Sequence, residues 1–279
     1  MRVSPVKMPN YPKGVDREFS QLIEYMIDRM GDKFKSQVIM ALQVATIEKF
    51  ADSRIDSTMP MIDAKQEGNY ARIFTKLAKK VNRKLMNQFS NDRIQEYSEK
   101  ILNKANKYNR EMTYKALEKA VGLNYKQLVL KEALNPTINA LIIETATWVQ
   151  RLRDQTLQNF SANSLRAMAL GNTIDGVLKE FDLEKSKQKN AAKFVARNQI
   201  ANFNGILTKI RHQKVGIEEG RWKTSGDEKV RPCHRDRDGK VFKLAEGCYS
   251  ACDDKYLIPG SDFNCRCIYY AIIDEFKGI

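Results

Sequence analysis

The sequence predicts a mainly α protein, an extended helical body followed by a small, irregular C-terminal β module. Three observations point there. Apolar residues recur at helical spacing from Phe19 to Ile210. Short β-type runs, RWKT and KVFKL, occur only after Gly216. All five cysteines and one of the two histidines of the 279-residue chain fall between Arg221 and Cys267.

Residues 1–14 carry prolines at positions 5, 9 and 12 and read as an extended N-terminal arm. Residues 15–130 read as a helical N-terminal region. Asp16 is placed as the cap of its first helix, whose stripe is Phe19, Leu22, Ile23, Met26, Ile27, Met30 and Phe34, continued by Val38, Leu42 and Ile47. Ala51 to Gly68 mixes Asp, Ser, Thr, Pro and Gly without periodicity and reads as a loop. From Tyr70 to Phe89 the pattern is amphipathic again, with Phe74, Leu77, Val81 and Leu85 on one stripe.

Residues 131–219 read as a second helical region. Asn135-Pro136 is a start signal, and the helix behind it buries Ile138, Leu141, Ile142, Thr145, Val149 and Leu152, with Leu157 last and Trp148 packed alongside. Gly171 fits a C-terminal cap and Thr173 the cap of a short helix ending near Phe181. A last long helix spans about Glu184 to Lys214, with Phe194, Val195, Ile200, Phe203, Ile206, Leu207 and Ile210 on its buried face. His212 sits at its basic end and reads as solvated or dipole-compensating, not as a ligand or catalyst. A boundary near Val215 to Gly220 opens the Cys/His-rich β module, residues 220–279. Asp238-Gly239 reads as its hairpin turn and CIYYAII, from Cys267, as its last strand.

Lys and Arg number 48 against 34 Asp and Glu, for a net charge of +14. That surplus favours a polyanionic partner, with nucleic acid first. Lys76, Lys79, Lys80, Arg83 and Lys84 gather on one helix face with Arg72, and Lys100, Lys104 and Lys107 repeat the arrangement on the next helix. Like charges at i,i+4 repel, and an anionic ligand that neutralises them offsets that repulsion. A plain solvated face is the competing reading. No run of eighteen apolar residues occurs, so no membrane span is expected, and MRVSPVKMPNYPKG lacks the apolar core of a secretion signal. A reducing cytosol is therefore the expected site of synthesis.

Cys265 and Cys267 stand at i and i+2, which places both side chains on one side of an extended segment. Cys248 and Cys252 form a C-x3-C pair, and His234 lies upstream. Zinc takes four tetrahedral N/S ligands, and a module this short with few large apolar side chains gains from a metal staple. His234, Cys248, Cys252, Cys265 and Cys267 are the candidate ligands. Cys233 and His234 point opposite ways in extended chain, so only one of them is expected to ligate, and His234 is chosen. Free thiols, or a disulfide formed once the protein leaves the cell, remain the alternatives.

Trp222, Asp227-Glu228, Arg231, His234, Asp238-Gly239-Lys240-Val241-Phe242, Pro259 and Cys265-Arg266-Cys267 occur in the order of a known signature. The sequence resembles the phage head-morphogenesis family, the Mu F-like minor head proteins, over about residues 120–275. The signature residues are taken as Trp222, Asp227, Arg231, Asp238, Gly239 and Arg266. Departures are Arg237 where the family usually has leucine, Asp262 where many members have histidine, and Cys233, which has no family counterpart.

The resemblance implies a non-enzymatic structural protein of a double-stranded DNA phage, inside the head at the portal vertex and in the host cytoplasm during assembly. It implies a role in head assembly and in DNA packaging or ejection. Expected partners are the portal protein, the major capsid or scaffolding protein, and double-stranded DNA contacted through phosphates without sequence preference, with several copies per particle. A metal-dependent nuclease using His234 with Asp227, Asp236 and Asp238, or a zinc-module DNA-binding protein, are the alternatives. Some members carry fused toxin domains, for which the six residues after the last strand candidate leave no room.

Overall fold

The structure is a computed structural model and describes residues 5–52, 67–122, 124, 134–170, 172 and 174–273. Its long helices are α1 (Lys13–Asp52), α2 (Glu67–Gln88), α3 (Asn91–Val121), α4 (Asn135–Ala169) and α5 (Ile174–Lys214). The short elements are β1 (Val6–Lys7), β2 (Glu219–Lys223), helix α6 (Pro232–Arg237), β3 (Val241–Lys243), β4 (Cys248–Ser250), β5 (Lys255–Leu257) and β6 (Ile268–Ile272). The chain divides into two compact units made of non-contiguous segments. One comprises Met1–Phe19, Tyr97–Thr145 and Phe194–Ile279, and the other Ser20–Glu96 and Ala146–Lys193.

In the second unit, the predicted stripes of α1 and α2 face inward. Phe34 meets Phe74 edge-on at 6.1 Å and Phe160 at 6.0 Å, and Phe160 lies 4.6 Å from Phe181. An antiparallel ionic ladder joins α1 to α5 in register. Lys185 reaches Asp28 and Asp32, Lys189 reaches Glu24 and Asp28, and Lys193 reaches Glu24. Both helices repeat every four residues, so each cation meets the next carboxylate one turn along. Buried Arg153 closes the end of α2 by donating to the Phe89 carbonyl at 2.6 Å and to Asn91 Oδ1 at 3.0 Å.

Helix boundaries differ from the sequence reading. Where a short helix and then a long one were expected, α5 is continuous from Ile174. Val177, Phe181, Glu184, Gln188, Ala192 and Val195 form one buried stripe along it, and neither Gly nor Pro interrupts it between them. Helix α4 likewise continues past Leu157, because Phe160, Ser164 and Ala167 extend its buried face. Asp16 lies inside the first turn of α1, not at its cap. The expected caps Gly171 and Thr173, and the loop over 53–66, lie outside the described residues, as do the side chains of Leu42, Ile47 and Tyr70.

The first unit carries the β module. Its main sheet has the order β1-β6-β2-β3, all antiparallel, and β4 pairs with β5 in a second sheet. Val6–Lys7 of the expected N-terminal arm thus form an edge strand: Val6 pairs with Ala271, and Val6 and Met8 are buried. Strands β2 and β3 pair as predicted, but not across a two-residue turn, since Pro232–Arg237 forms a helix in the connection. Asp238-Gly239 is instead the exit from that helix. Gly239 has φ 79° and donates its N–H to the Trp222 carbonyl at 2.9 Å.

Helices α3 and α5 are joined in this unit by buried Asn109, whose amide donates to Asn204 Oδ1 and Thr208 Oγ1, both at 2.7 Å. His212 is not solvated. It is fully buried at the end of α5, its Nδ1 2.8 Å from the Tyr269 hydroxyl, because β6 covers that helix terminus. Phe194, expected in the core, is 37% exposed and stacks on Phe263 at 6.0 Å.

Gly205 of α5 sets the position of the chain that follows β5. A Cβ there would stand 2.9 Å from the Pro259 carbonyl oxygen, so helix backbone and loop backbone touch. Gly260, at φ 90°, lies against the same helix, where a Cβ would stand 3.4 Å from the Ala201 carbonyl oxygen.

Candidate metal centre and basic face

Two segments of the first unit bring three donors together. Helix α6 carries His234, and the extended segment leading into β6 carries Cys265 and Cys267. His234 Nδ1 lies 3.6 Å from Cys265 Sγ and 3.4 Å from Cys267 Sγ, and the three donor atoms all lie within 4.8 Å of one another. On a tetrahedral zinc ion, sulfur and nitrogen ligands stand about 3.6 Å apart and two sulfurs about 3.8 Å. The spacing therefore fits a soft divalent ion without rearrangement. All three residues are buried. Arg266, between the two cysteines, points outward to a bidentate pair with Asp227 at 2.6 and 2.7 Å, as i, i+2 alternation requires.

The surroundings favour thiolate at Cys265. The Gly260 N–H donates to Cys265 Sγ at 3.4 Å. A hydrogen bond from the Cys267 thiol, with His234 and the Gly260 N–H, pulls the Cys265 pKa down against burial. Cys267, facing that charge, is pushed up, and only the Trp222 side chain pulls it back. The Trp222 indole N–H has no other hydrogen-bond partner, and its ring meets the His234 ring edge-on at 5.7 Å. The hydrogen bond with Cys265 raises the His234 pKa, while burial opposes the rise.

On its other edge, His234 Nε2 lies 3.0 Å from Asp262 Oδ2. Burial pushes the Asp262 carboxyl up, but the Phe263 N–H, His234 and Arg231 together bring it below the usual carboxylate range. Arg231 donates to Asp262 and to the Phe263 carbonyl. Among the described residues, no fourth His, Cys, Asp or Glu joins the cluster.

The other two predicted ligands are elsewhere. Cys252 is closed in a disulfide with Cys233, at a Cα–Cα distance of 5.2 Å, so its sulfur is spent. Cys248 is a free, buried thiol in β4, outside the cluster, and burial raises its pKa. Metal-type cluster, free thiol and disulfide thus all occur in the one module. From the sequence, Cys233 is set aside in favour of His234 and has no family counterpart, and Cys252 is not named as its partner. On α6 the two adjacent side chains reach different partners, Cys233 the sulfur of Cys252 and His234 the cluster, so only His234 stands among the candidate ligands, as expected.

The disulfide belongs with Arg237, the other departure. This guanidinium is fully buried and uses all five N–H donors: on the carbonyls of Cys248, Cys233 and Lys255, and twice on Asp253. Its face also lies over Trp222, 5.6 Å from the ring centroid. Disulfide and arginine together fasten the β4–β5 hairpin to α6. A leucine at this position could make none of these bonds. Asp238 has a comparable local role, accepting from the Thr224 N–H at 2.7 Å and the Thr224 hydroxyl at 3.1 Å.

The basic stripe of α2 is real in three dimensions. Arg72, Lys76, Lys79, Lys80, Arg83 and Lys84 are exposed, while Phe74, Ala78, Val81 and Leu85 are buried on the opposite side. From residue 72 to 84 the face runs about 18 Å along the helix. No acidic residue occurs between Glu67 and Asp92. The α3 residues differ: Lys104 pairs with Glu18, Lys100 lies over the Tyr97 ring at 5.8 Å, and Lys107 is exposed.

Two buried thiols and a carboxylate-oriented imidazole define a candidate soft-metal centre closed within a small β module. Residues 158–270, from the C-terminal part of α4 through α5 and most of that module, match the family model of Phage Mu protein F like protein. The resemblance read from the signature is borne out there. An uncharacterized protein of Haemophilus influenzae strain Rd is 34% identical over 143 residues, covering 51% of this chain and 31% of that relative. The chain thus spans about a third of the length of the curated relative it matches. No solved structure matches. Among the described residues, no helix is long and apolar enough to cross a membrane.

Proposed function

We propose that this chain is a structural minor head protein of a double-stranded DNA phage, bound at the portal vertex inside the head. It assists head assembly and DNA packaging or ejection. The match of residues 158–270 to the Mu protein F-like family carries this reading. In it, the exposed cations of α2 meet DNA phosphates without sequence preference. Zinc held by His234, Cys265 and Cys267 staples the β module, supplying structural cross-linking and no reaction.

The nuclease alternative finds its groups engaged. Asp227 is paired with Arg266, Asp236 with Lys240 and Ser250, and Asp238 with Thr224 and Lys223. His234 is 3% exposed, too enclosed to present a metal-bound water to a phosphodiester.

Cross-linking mass spectrometry on the purified phage particle tests the proposal. Cross-links from this chain to the portal protein are the expected result. Absence of the chain from the particle, or cross-links confined to the outer capsid surface, would overturn it.

A further inference from the structure

We infer that Asp262, fixed by Arg231, is the residue that orients His234 toward a divalent metal ion shared with Cys265 and Cys267, and is not itself a ligand. The inference rests on the zinc reading above and adds the outer shell of that centre.

The imidazole ring supplies the first step. Its two nitrogens lie on different edges, and each is engaged separately: Nε2 at 3.0 Å from Asp262 Oδ2, Nδ1 at 3.4 and 3.6 Å from the two sulfurs. A carboxylate facing Nε2 draws the ring proton to that nitrogen. The Nδ1 lone pair is then left pointing between the thiols, where the ion would sit. Asp262 lies across the ring from that point, so its Oδ2 serves the imidazole.

The carboxylate is held from three directions. The Phe263 N–H donates to Oδ1 at 2.8 Å, His234 meets Oδ2 at 3.0 Å, and Arg231 meets the same Oδ2 while also gripping the Phe263 carbonyl. The loop carrying Asp262 is therefore clamped to Arg231, the residue capping α6, whose second residue after Pro232 is His234.

Charge balance supports the same assignment. Two thiolates neutralise a divalent ion, and Arg231 neutralises Asp262, so the enclosed centre carries no net charge with a neutral imidazole. Placing Asp262 in the inner sphere instead would put three anions on one dication in a buried site and leave Arg231 without its carboxylate.

Cobalt binding to the full-length chain, with the disulfide left intact, tests the inference. Wild-type protein is expected to bind one Co²⁺ with tetrahedral d–d bands and thiolate charge transfer. Asp262→Ala should retain that stoichiometry and band shape but lose about 10- to 100-fold in affinity, measured by competition with a chelator. Asp262→Asn, which keeps the side-chain shape, guards against misfolding and should fall between the two. Asp236→Ala, in the same module but away from the cluster, should match wild type. Equal affinity for wild type and both Asp262 variants would overturn the orienting role while leaving the metal reading intact. A changed d–d spectrum in Asp262→Ala would overturn it by making Asp262 an inner ligand. Failure of the wild-type chain to bind cobalt at all would overturn the metal reading and this inference with it.

Discussion

His212 offers the sharpest test of how the β module sits on the end of α5. The side chain is fully buried, its Nδ1 facing the Tyr269 hydroxyl and its Nε2 without a hydrogen-bond partner. Burial pushes its pKa down to about 3 from the ordinary 6.5. A folded-state pKa below the unfolded one means that the stability is complete above pH 6.5 and is lost as pH falls toward about 3. Protonation in the unfolded chain alone then removes about 2 kcal/mol between pH 8 and about pH 5. Tyr269 does not confuse the reading, because burial pushes its pKa well up, away from this range. Denaturant unfolding would follow Trp222, in the core of the same unit, in a Trp148→Phe background. Wild type and His212→Gln share their other titrating groups, so the difference of their pH profiles isolates His212. The wild type should lose about 2 kcal/mol more than the variant over that interval. Parallel profiles would refute the buried, neutral histidine and with it the covering of α5 by β6.

Two further outcomes follow from the packing and the charge. Gly205→Ala puts a methyl group 2.9 Å from the Pro259 carbonyl. Because backbone must move to admit it, about 1–3 kcal/mol of stability should be lost, and cobalt affinity should fall as the loop bearing Cys265 shifts. A variant as stable and as metal-competent as wild type would contradict that contact. Reversing three α2 charges, Lys76→Glu with Lys80→Glu and Arg83→Glu, should weaken DNA binding and flatten the slope of log K against log salt by about 3. An unchanged slope, measured by fluorescence anisotropy on duplexes of two unrelated sequences, would assign those cations to solvent or to a protein partner.

The helical body was legible because amphipathic stripes are local: Phe74 to Leu85 in α2 and Ile138 to Leu152 in α4 each record their own burial. The Cys265/Cys267 pair was legible too, since i, i+2 alternation is a backbone property. What escaped the sequence was set by tertiary contact. His212 looks like a helix-end cation until β6 closes over it. Cys233 and Cys252 carry no spacing signal, being 19 residues apart and joined only because α6 turns Cys233 toward the chain after β4. Asp262 stands in the sequence only as a departure from the histidine of many family members, and the position of the His234 ring shows that its carboxylate addresses the cluster. Lys104 belonged by spacing to a basic stripe, but Glu18 on another helix claims it.

The signature residues therefore act mainly on each other. Trp222 walls the cluster, Gly239 locks β2 to the exit of α6, Asp238 holds Thr224, Arg231 clamps the Asp262 loop, and Asp227 ties down Arg266 from outside. None needs solvent to do this, and the thiols and imidazole they enclose are buried. Such an arrangement converts a short, irregular stretch into a fixed attachment on the end of a long helix. Arg237 and the Cys233–Cys252 disulfide then extend the same rigidity to the β4–β5 hairpin. There the exposed Tyr249 and Tyr256 rings pair at 5.0 Å across the strands. The inward-facing chemistry of the module thus fixes the geometry of its outer surface.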